Sequence, residues 1–252
     1  GEMAGVNEIA GIGRMSEPDV IYMHLLKHLE ERPLLEDYNV LITAGPTRES
    51  LDPVRFISNY SSGKMGKAIA EQSFLMGGKV TLVRGKGSSV SPPETALVLE
   101  VDNAAEMAAV VKEEFASTDL FVAAAAVADW TVETPSTSKL KKSSGSPPID
   151  WSETEDILKW AGEHRKHQVL VGFALETADH HSGAQNKLKS KKVDLIALND
   201  PQQNHSSFGG DSTHLTIFSN ERQPEKFAVS SKDVAARNLL EIAAKYLPLK
   251  TT

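Results

Sequence analysis

"YNVLITAGPTRESLDPVRFISNYSSGKMGKAIAEQSFLMGGKVTLVRG", residues 38–85, decides the fold. Tyr38–Gly45 is a short apolar run, the pattern of a strand buried on both faces of a parallel sheet. Residues 45–62 follow as a long loop punctuated by Pro46 and Pro53. Helical spacing then starts at Met65 and continues through Ile69, Gln72 and Met76, with Gly77–Gly78 as the stop. "KVTLVRG", residues 79–85, is a second strand. Strand, helix and strand in this order point to parallel pairing.

The same alternation continues outward. A weaker strand is predicted in "ALVLEV", 96–101, and a helix capped by Asn103 with Glu106 three residues on. "DLFVAAAAVADW", 119–130, is a strong strand running into a loop. Residues 131–148 are polar, serine-rich and basic, and read as a mobile flap or linker. A helix near "TEDILKWAGEH", 154–164, precedes strands at "VLVGFA" and "VDLIALN", which bracket a helix in "GAQNKLKSKK". "HLTIFSNERQPEKFAVS", 214–230, reads as a hairpin around Asn220–Glu221, and residues 231–247 as a capped amphipathic helix. Before the first strand, residues 1–15 are glycine-rich without period. A short helix follows, with Ser16 as cap, Pro18 in its first turn and Ile21, Leu25 and Leu29 on one face. The expected architecture is a three-layer, Rossmann-like α/β domain with a mainly parallel sheet and a C-terminal β-hairpin extension.

Composition narrows the function. The chain has 252 residues, 40% hydrophobic and 24% charged, enough for a sizeable core. A net charge of −7 argues against nonspecific nucleic-acid binding and favours a small-molecule partner. The absence of cysteine excludes a disulfide scaffold, a zinc–thiolate site and a cysteine nucleophile. No apolar run approaches membrane-spanning length, and the first fifteen residues do not read as a signal peptide. A cytoplasmic enzyme without a membrane partner is the expectation. No H-E-x-x-H pattern is present, and the sequence names no metal ligand.

Ligands of such folds bind where loops leave the carboxyl ends of strands. The first such loop holds Gly45, Pro46, Thr47 and Asn59–Gly66; the second, Ala125–Asp129; the third, Gly172–Ala174 with Glu176 and Thr177. Ser61, Ser62 and Gly63 ahead of a helix suit a phosphate, because helix-start N–H groups favour anions. A plain N-cap with a glycine turn is the structural alternative. Asn59 is neutral and cannot be a general base, but its amide can donate to an oxyanion. Asp129 can accept from a ribose hydroxyl or cap a turn. Lys139, Lys141 and Lys142 lie on the flap, and Lys187 and Lys191 are four residues apart, sharing a helical face.

Read together, "VLITAGPTRESLDPVRFISNYSSGKMG", "AAAVADW", "KLKK", "VGFALET" and "KLKSKKVDLIALND" resemble phosphopantothenate–cysteine ligase, also called phosphopantothenoylcysteine synthetase, over residues 38–248. "GIGRMSEP" resembles the tail of the flavin-dependent decarboxylase that precedes the ligase in bifunctional bacterial proteins. The implied division is 1–35 as decarboxylase tail and linker helix, and 36–252 as ligase domain. The resemblance implies CTP, 4'-phosphopantothenate and L-cysteine as substrates, an acyl-cytidylate intermediate, Mg²⁺ as cofactor and a homodimer. It assigns Asn59 to acyl-cytidylate turnover and phosphopantothenate contact, and Lys139 to nucleotidyl activation. Asp129, Ala125, Ala126 and Phe173 become nucleotide-site positions, Asp129 at the ribose and Phe173 near the base. Lys187 and Lys191 become triphosphate contacts, Ser61 and Gly63 lie in the phosphate loop, and Gly45 is a further nucleotide-site position. Arg55 is expected at the substrate phosphate. Tyr60 stands where the family often has a basic residue or histidine, and Leu175 where alanine is usual.

Two other readings compete. A nicotinamide oxidoreductase finds some support in Arg84 and Lys86, but "GPTRES" lacks G-x-G-x-x-G. A non-catalytic nucleotide-binding module needs neither Asn59 nor the flap lysines.

Overall fold

The structure is a computed structural model, and it describes residues 2–3, 11–12, 15–31, 33–142, 149–175, 180–199 and 210–250. The chain opens with β1 (Glu2–Met3), β2 (Gly11–Ile12) and helix α1 (Pro18–His28). Then come β3 (Asn39–Ala44), β4 (Arg48–Ser50), β5 (Phe56–Ser58), α2 (Lys64–Leu75), β6 (Lys79–Gly85), β7 (Leu97–Val101) and α3 (Ala104–Phe115). The second half runs β8 (Leu120–Ala123), β9 (Trp130–Val132), β10 (Trp151–Glu153), α4 (Ile157–His164), β11 (Val169–Leu175), α5 (His180–Ser190) and β12 (Leu195–Asn199). It closes with β13 (Ser212–Thr213), β14 (Leu215–Ser219), β15 (Glu225–Lys226), β16 (Ser230–Ser231) and α6 (Lys232–Ala243).

The main sheet has the order β15-β14-β12-β11-β8-β3-β6-β7. Strands β7 to β12 of this order pair in parallel; β14 and β15 add an antiparallel edge, as expected of the C-terminal hairpin. Winding starts at β3, moves out to β6 and β7, then returns to β8 on the other side of β3. The β3/β8 junction is therefore the topological switch point, where such sheets open a crevice at their carboxyl ends.

Alternation along each strand builds the three layers. Val40 and Ile42 of β3, Val122 of β8 and Val171 of β11 face α2 and α6, meeting Ile69, Phe74, Leu239 and Leu240. Leu41, Phe121 and Leu170 point the other way, onto Met107 and Val111 of α3, Leu158 of α4 and Leu188 of α5. Both faces of β3 are covered, which is why its sequence is a continuous apolar run.

Four features depart from the sequence reading. The long loop after β3 contains the small antiparallel hairpin β4–β5, with Glu49 opposite Ile57. Residues 130–132 of the expected loop and flap form β9, which pairs with β10. Helix α1 starts after Glu17, without a side-chain cap from Ser16. Its Ile21, Leu25 and Leu29 are 37%, 56% and 71% exposed, so that stripe does not enter the core. Instead Met23 packs inward, and His24 meets Phe74 edge-on at 5.0 Å. The capping box of α3 is as expected: Asn103 Oδ1 accepts from Glu106 N at 2.8 Å, and Glu106 accepts from Asp102 N at 2.7 Å. Among the described residues, no helix is long and apolar enough to cross a membrane.

Candidate active site

The carboxyl ends of β3 and β8 are stitched into one platform. Ala124 N donates to Thr43 O at 3.2 Å and Ala126 N to Gly45 O at 2.9 Å, so ladder pairing continues past the strands into both loops. Two buried threonines complete it: Thr43 Oγ1 accepts from Ala125 N at 3.3 Å and Thr47 Oγ1 from Ala128 N at 3.0 Å. The small side chains of 123–126 keep this surface low, so a ligand can reach the backbone.

Beside the platform lies a cleft of about 550 Å³. Ala125, Ala126, Asp129, Phe173 and Lys191 of the expected nucleotide site all line it, joined by Thr43, Glu153, Thr154 and Asp156. Pairing of β9 with β10 places Glu153 opposite Trp130. Thr154 is tied to the second loop through its N–H, which donates to Asp129 O at 3.0 Å, and its hydroxyl, which donates to Ala128 O. Asp156 caps α4 by accepting from Lys159 N at 2.9 Å and also pairs with the Lys191 ammonium at 3.0 Å. Lys191 stands just past the end of α5. Gly162 of α4 permits this position, since a Cβ there would lie 1.9 Å from the Lys191 carbonyl oxygen. Lys187, one turn earlier and half-buried, lies outside the cleft lining.

The expected phosphate loop adjoins the platform at Gly45. Gly63 is the N-cap of α2 with φ of 80°, a left-handed conformation that glycine adopts without strain. Gly63 itself has no side chain to cap the helix, and the Ser62 hydroxyl accepts only a long bond from Lys64 N, at 3.4 Å. Gly63 and Gly45 both face Ser88 after β6, and Ser62 O accepts from Ser89 N at 3.1 Å. Ser61 is half-buried. None of Gly45, Ser61 and Gly63 lines the cleft itself. Asn59 joins the two regions: its amide nitrogen donates to Val127 O at 3.0 Å and Ala126 O at 3.3 Å. Tyr60 beside it is 85% exposed.

Arg55 lies at a third point, the β4–β5 turn, where it meets Leu140, the flap residue next to Lys139. The Arg55 guanidinium pairs with Asp52 and donates to Leu140 O at 2.8 Å. Lys139 is exposed. Asp52, whose side chain is fully buried, is held well below the ordinary carboxylate range by the Arg55 guanidinium, with backbone N–H donors assisting. Glu176 and Thr177 of the third loop, and Arg14 of the N-terminal motif, lie outside the described residues.

Sequence reading missed Asp52, Glu153, Thr154 and Asp156. Asp-Pro at 52–53 is a turn signal that could have marked Asp52. The other three owe their place to the β9–β10 pairing, which no local pattern announces.

Among the described residues, no three His, Asp or Glu side chains form a metal cage. Mg²⁺ carried by a nucleotide needs only one or two protein carboxylates and keeps several waters. Asp129 and Glu153 in the cleft fit that modest demand, whereas Asp156 is engaged by Lys191 and Glu155 by Lys112 at 2.6 Å.

Comparison with known proteins identifies the family and the fold. Residues 35–247 match the family described as DNA/pantothenate metabolism flavoprotein C-terminal domain. The chain is 42% identical over 237 residues to the coenzyme A biosynthesis bifunctional protein CoaBC of Bacillus subtilis, covering 93% of this chain and 58% of that protein. It is 41% identical over 246 residues to a cysteine/cysteine sulfinic acid decarboxylase from an unknown prokaryotic organism, covering 95% and 68%. The chain thus spans about three-fifths of the B. subtilis relative. The crystal structure of the C-terminal domain of a CoaBC protein superposes with a TM-score of 0.73 at 33% identity, covering 84% of this chain and 97% of that one. The chain belongs to the DNA/pantothenate metabolism flavoprotein C-terminal domain family.

Proposed function

We propose that this protein joins 4'-phosphopantothenate to L-cysteine at the expense of CTP, as a phosphopantothenate–cysteine ligase. The observation that carries the reading is the convergence of Ala125, Ala126, Asp129, Phe173 and Lys191 on one cleft, with Asn59 bridging that cleft to the Gly63 loop. The kinship with CoaBC proteins supports the substrates.

In the first step a carboxylate oxygen of phosphopantothenate attacks the α-phosphorus of CTP, forming an acyl-cytidylate and expelling pyrophosphate. Asp129 accepts from the ribose, Phe173 lies near the base, and the Lys191 ammonium leaves Asp156 for the phosphates. Lys187 assists from the preceding turn, and Lys139 approaches with the flap. Mg²⁺ held by the nucleotide, with Asp129 and Glu153 nearby, would neutralise phosphate charge. Arg55 meets the phosphate of phosphopantothenate.

In the second step the cysteine amine attacks the activated carbonyl, CMP leaves and the amine proton passes to solvent. The resting Asn59 amide is shared between two carbonyl oxygens. It turns one N–H, the longer contact to Ala126 O, toward the developing oxyanion. Homodimerisation and a decarboxylase domain preceding residue 36 complete the proposal; the exposed β14–β15 edge offers a pairing surface.

The test is pyrophosphate release measured with CTP, phosphopantothenate and cysteine added singly and together. Release requiring both CTP and phosphopantothenate is the expected result. CO₂ release from cysteine or cysteine sulfinate without pyrophosphate would favour the decarboxylase reading suggested by the second relative's name.

A further inference from the structure

We propose that Asp52 is a positioning residue that, together with Arg55, clamps the flap peptide at Leu140 and so sets where Lys139 stands. The inference rests on the ligase reading for what Lys139 does, but the clamp itself is visible in the contacts.

Asp52 sits in the turn between β4 and β5, with a fully buried side chain. One carboxylate oxygen, Oδ1, accepts from Val54 N and Arg55 N, each at 2.8 Å, which fixes the turn. The other, Oδ2, accepts from Arg55 Nε at 2.9 Å, from the Arg55 terminal nitrogen and from Leu140 N at 3.1 Å. Arg55 returns the grip by donating to Leu140 O at 2.8 Å. Both polar groups of one flap residue are therefore held by one ion pair. A carboxylate takes the N–H and a guanidinium the C=O, as a neighbouring strand would.

Ser136 N adds a second tie, donating to Leu51 O at 3.0 Å. The 88-residue separation of Asp52 and Leu140 shows that this is a tertiary contact and not a local turn. Lys139 is exposed and adjoins Leu140, so the clamp is what registers its backbone. A buried, charged acceptor with several donors is more than the turn requires, since a backbone carbonyl or serine can hold a turn N–H. Arg55 is also the group assigned to the phosphate of the acyl substrate. When it turns to that phosphate, Leu140 O loses its donor while Leu140 N keeps Asp52, so substrate arrival and flap position are coupled through this pair.

Asp52→Asn removes the charge that orders Arg55 while keeping the side chain's shape. Lys139, Lys141 and Lys142 are natural trypsin sites within the flap, so cleavage there reads flap release independently of any activity. Expected are cleavage about tenfold faster than in the parent protein and a loss of pyrophosphate release of about 10- to 100-fold, the scale of a misplaced catalytic group. If Asp52 acts through Lys139, the double variant with Lys139→Gln loses no more activity than Lys139→Gln alone. Should Asp52→Asn fail to fold, Leu140→Pro deletes the N–H that Asp52 holds, while also fixing φ at 140 and restricting Lys139, with the same proteolytic expectation after Lys141 and Lys142. Flap cleavage at the parent rate in the folded variant overturns the proposal, as do fully additive activity losses. A parent protein with no ligase activity overturns the ligase reading, while the cleavage comparison still decides the clamp.

Discussion

The side-chain amide of Asn59 donates to the Val127 carbonyl oxygen at 3.0 Å, so the loop before α2 and the loop after β8 are held as one surface. Replacing Asn59 with aspartate sets a carboxylate against the carbonyls of Ala126 and Val127 and removes the amide proposed as oxyanion donor. Loss of such a donor costs about 10²–10³ in rate. The expected outcome is slow capture of the intermediate by cysteine, with acyl-cytidylate accumulating in quenched reactions, detected by mass spectrometry. A fall in stability of about 1 kcal/mol, measured by urea unfolding, accompanies it.

Lys139→Gln changes an exposed flap residue with no part in the core. Stability stays within about 0.5 kcal/mol of the parent. Single-turnover pyrophosphate release slows markedly, whereas capture of preformed acyl-cytidylate by cysteine is spared. Rapid-quench measurement of the two steps separates these effects.

Asp156→Asn preserves an acceptor for Lys159 N, because asparagine caps helices as well as aspartate does. It releases Lys191 from its 3.0 Å ion pair and removes a negative charge from the cleft lining. CTP affinity should rise about two- to fivefold, the scale of a partly exposed ion pair. Isothermal titration at low and high salt checks it; the gain shrinks as salt screens the cleft.

Gly162→Ala drives a methyl group toward the Lys191 carbonyl oxygen, 1.9 Å from the ideal Cβ position. Helix α4 and the end of α5 must separate. Overpacking of this kind costs about 1–3 kcal/mol. A fall in melting midpoint and weaker CTP binding should appear together, since Lys191 moves with its backbone.

Glu71 has a raised pKa, chiefly from burial, with Asp233 adding to it and Lys67 opposing it. The folded state therefore holds a proton more tightly than the unfolded chain. Stability contributed by this group is present below the ordinary glutamate range, about 4.3, and declines as pH rises toward the folded value. Glu71→Gln should unfold at a higher temperature than the parent at pH 7, by about 2–4 °C at most. The difference should vanish near pH 3, where both side chains are neutral. Thermal melts across this range test the sign.

The strands of the parallel sheet were legible because burial on both faces writes a continuous apolar run, as in Val40–Ala44 and Leu195–Leu198. The caps of α3 and α6 were legible because Asn103 and Ser231 act over three residues. The β4–β5 hairpin was not, since its three-residue strands are too short to show a period. The stripe Ile21, Leu25 and Leu29 had the right spacing but not the right partner, and periodicity alone does not say which face finds a core. Lys187 and Lys191 were expected to act as a pair on one helical face. The helix ends at Ser190, and Lys191 turns to Asp156 while Lys187 stays outside the cleft lining. Asp52 could be marked as a turn residue by the Asp-Pro pair, but its tie to the flap could not be read, because it depends on Leu140, 88 residues away.

The return of the chain to β3 after β7 has a kinetic consequence. Val40 and Leu120 become register partners only when a segment of about eighty residues has closed, an entropic cost of about 4 kcal/mol before any reward is collected. The local unit β3–α2–β6 can form before that event, but the cleft cannot. Its floor needs β8 beside β3, and Lys191 arrives only with α5. A refolding chain should therefore acquire helix and sheet signal before it acquires affinity for CTP, and the late phase should be the one that slows when the β3–β8 seam is weakened.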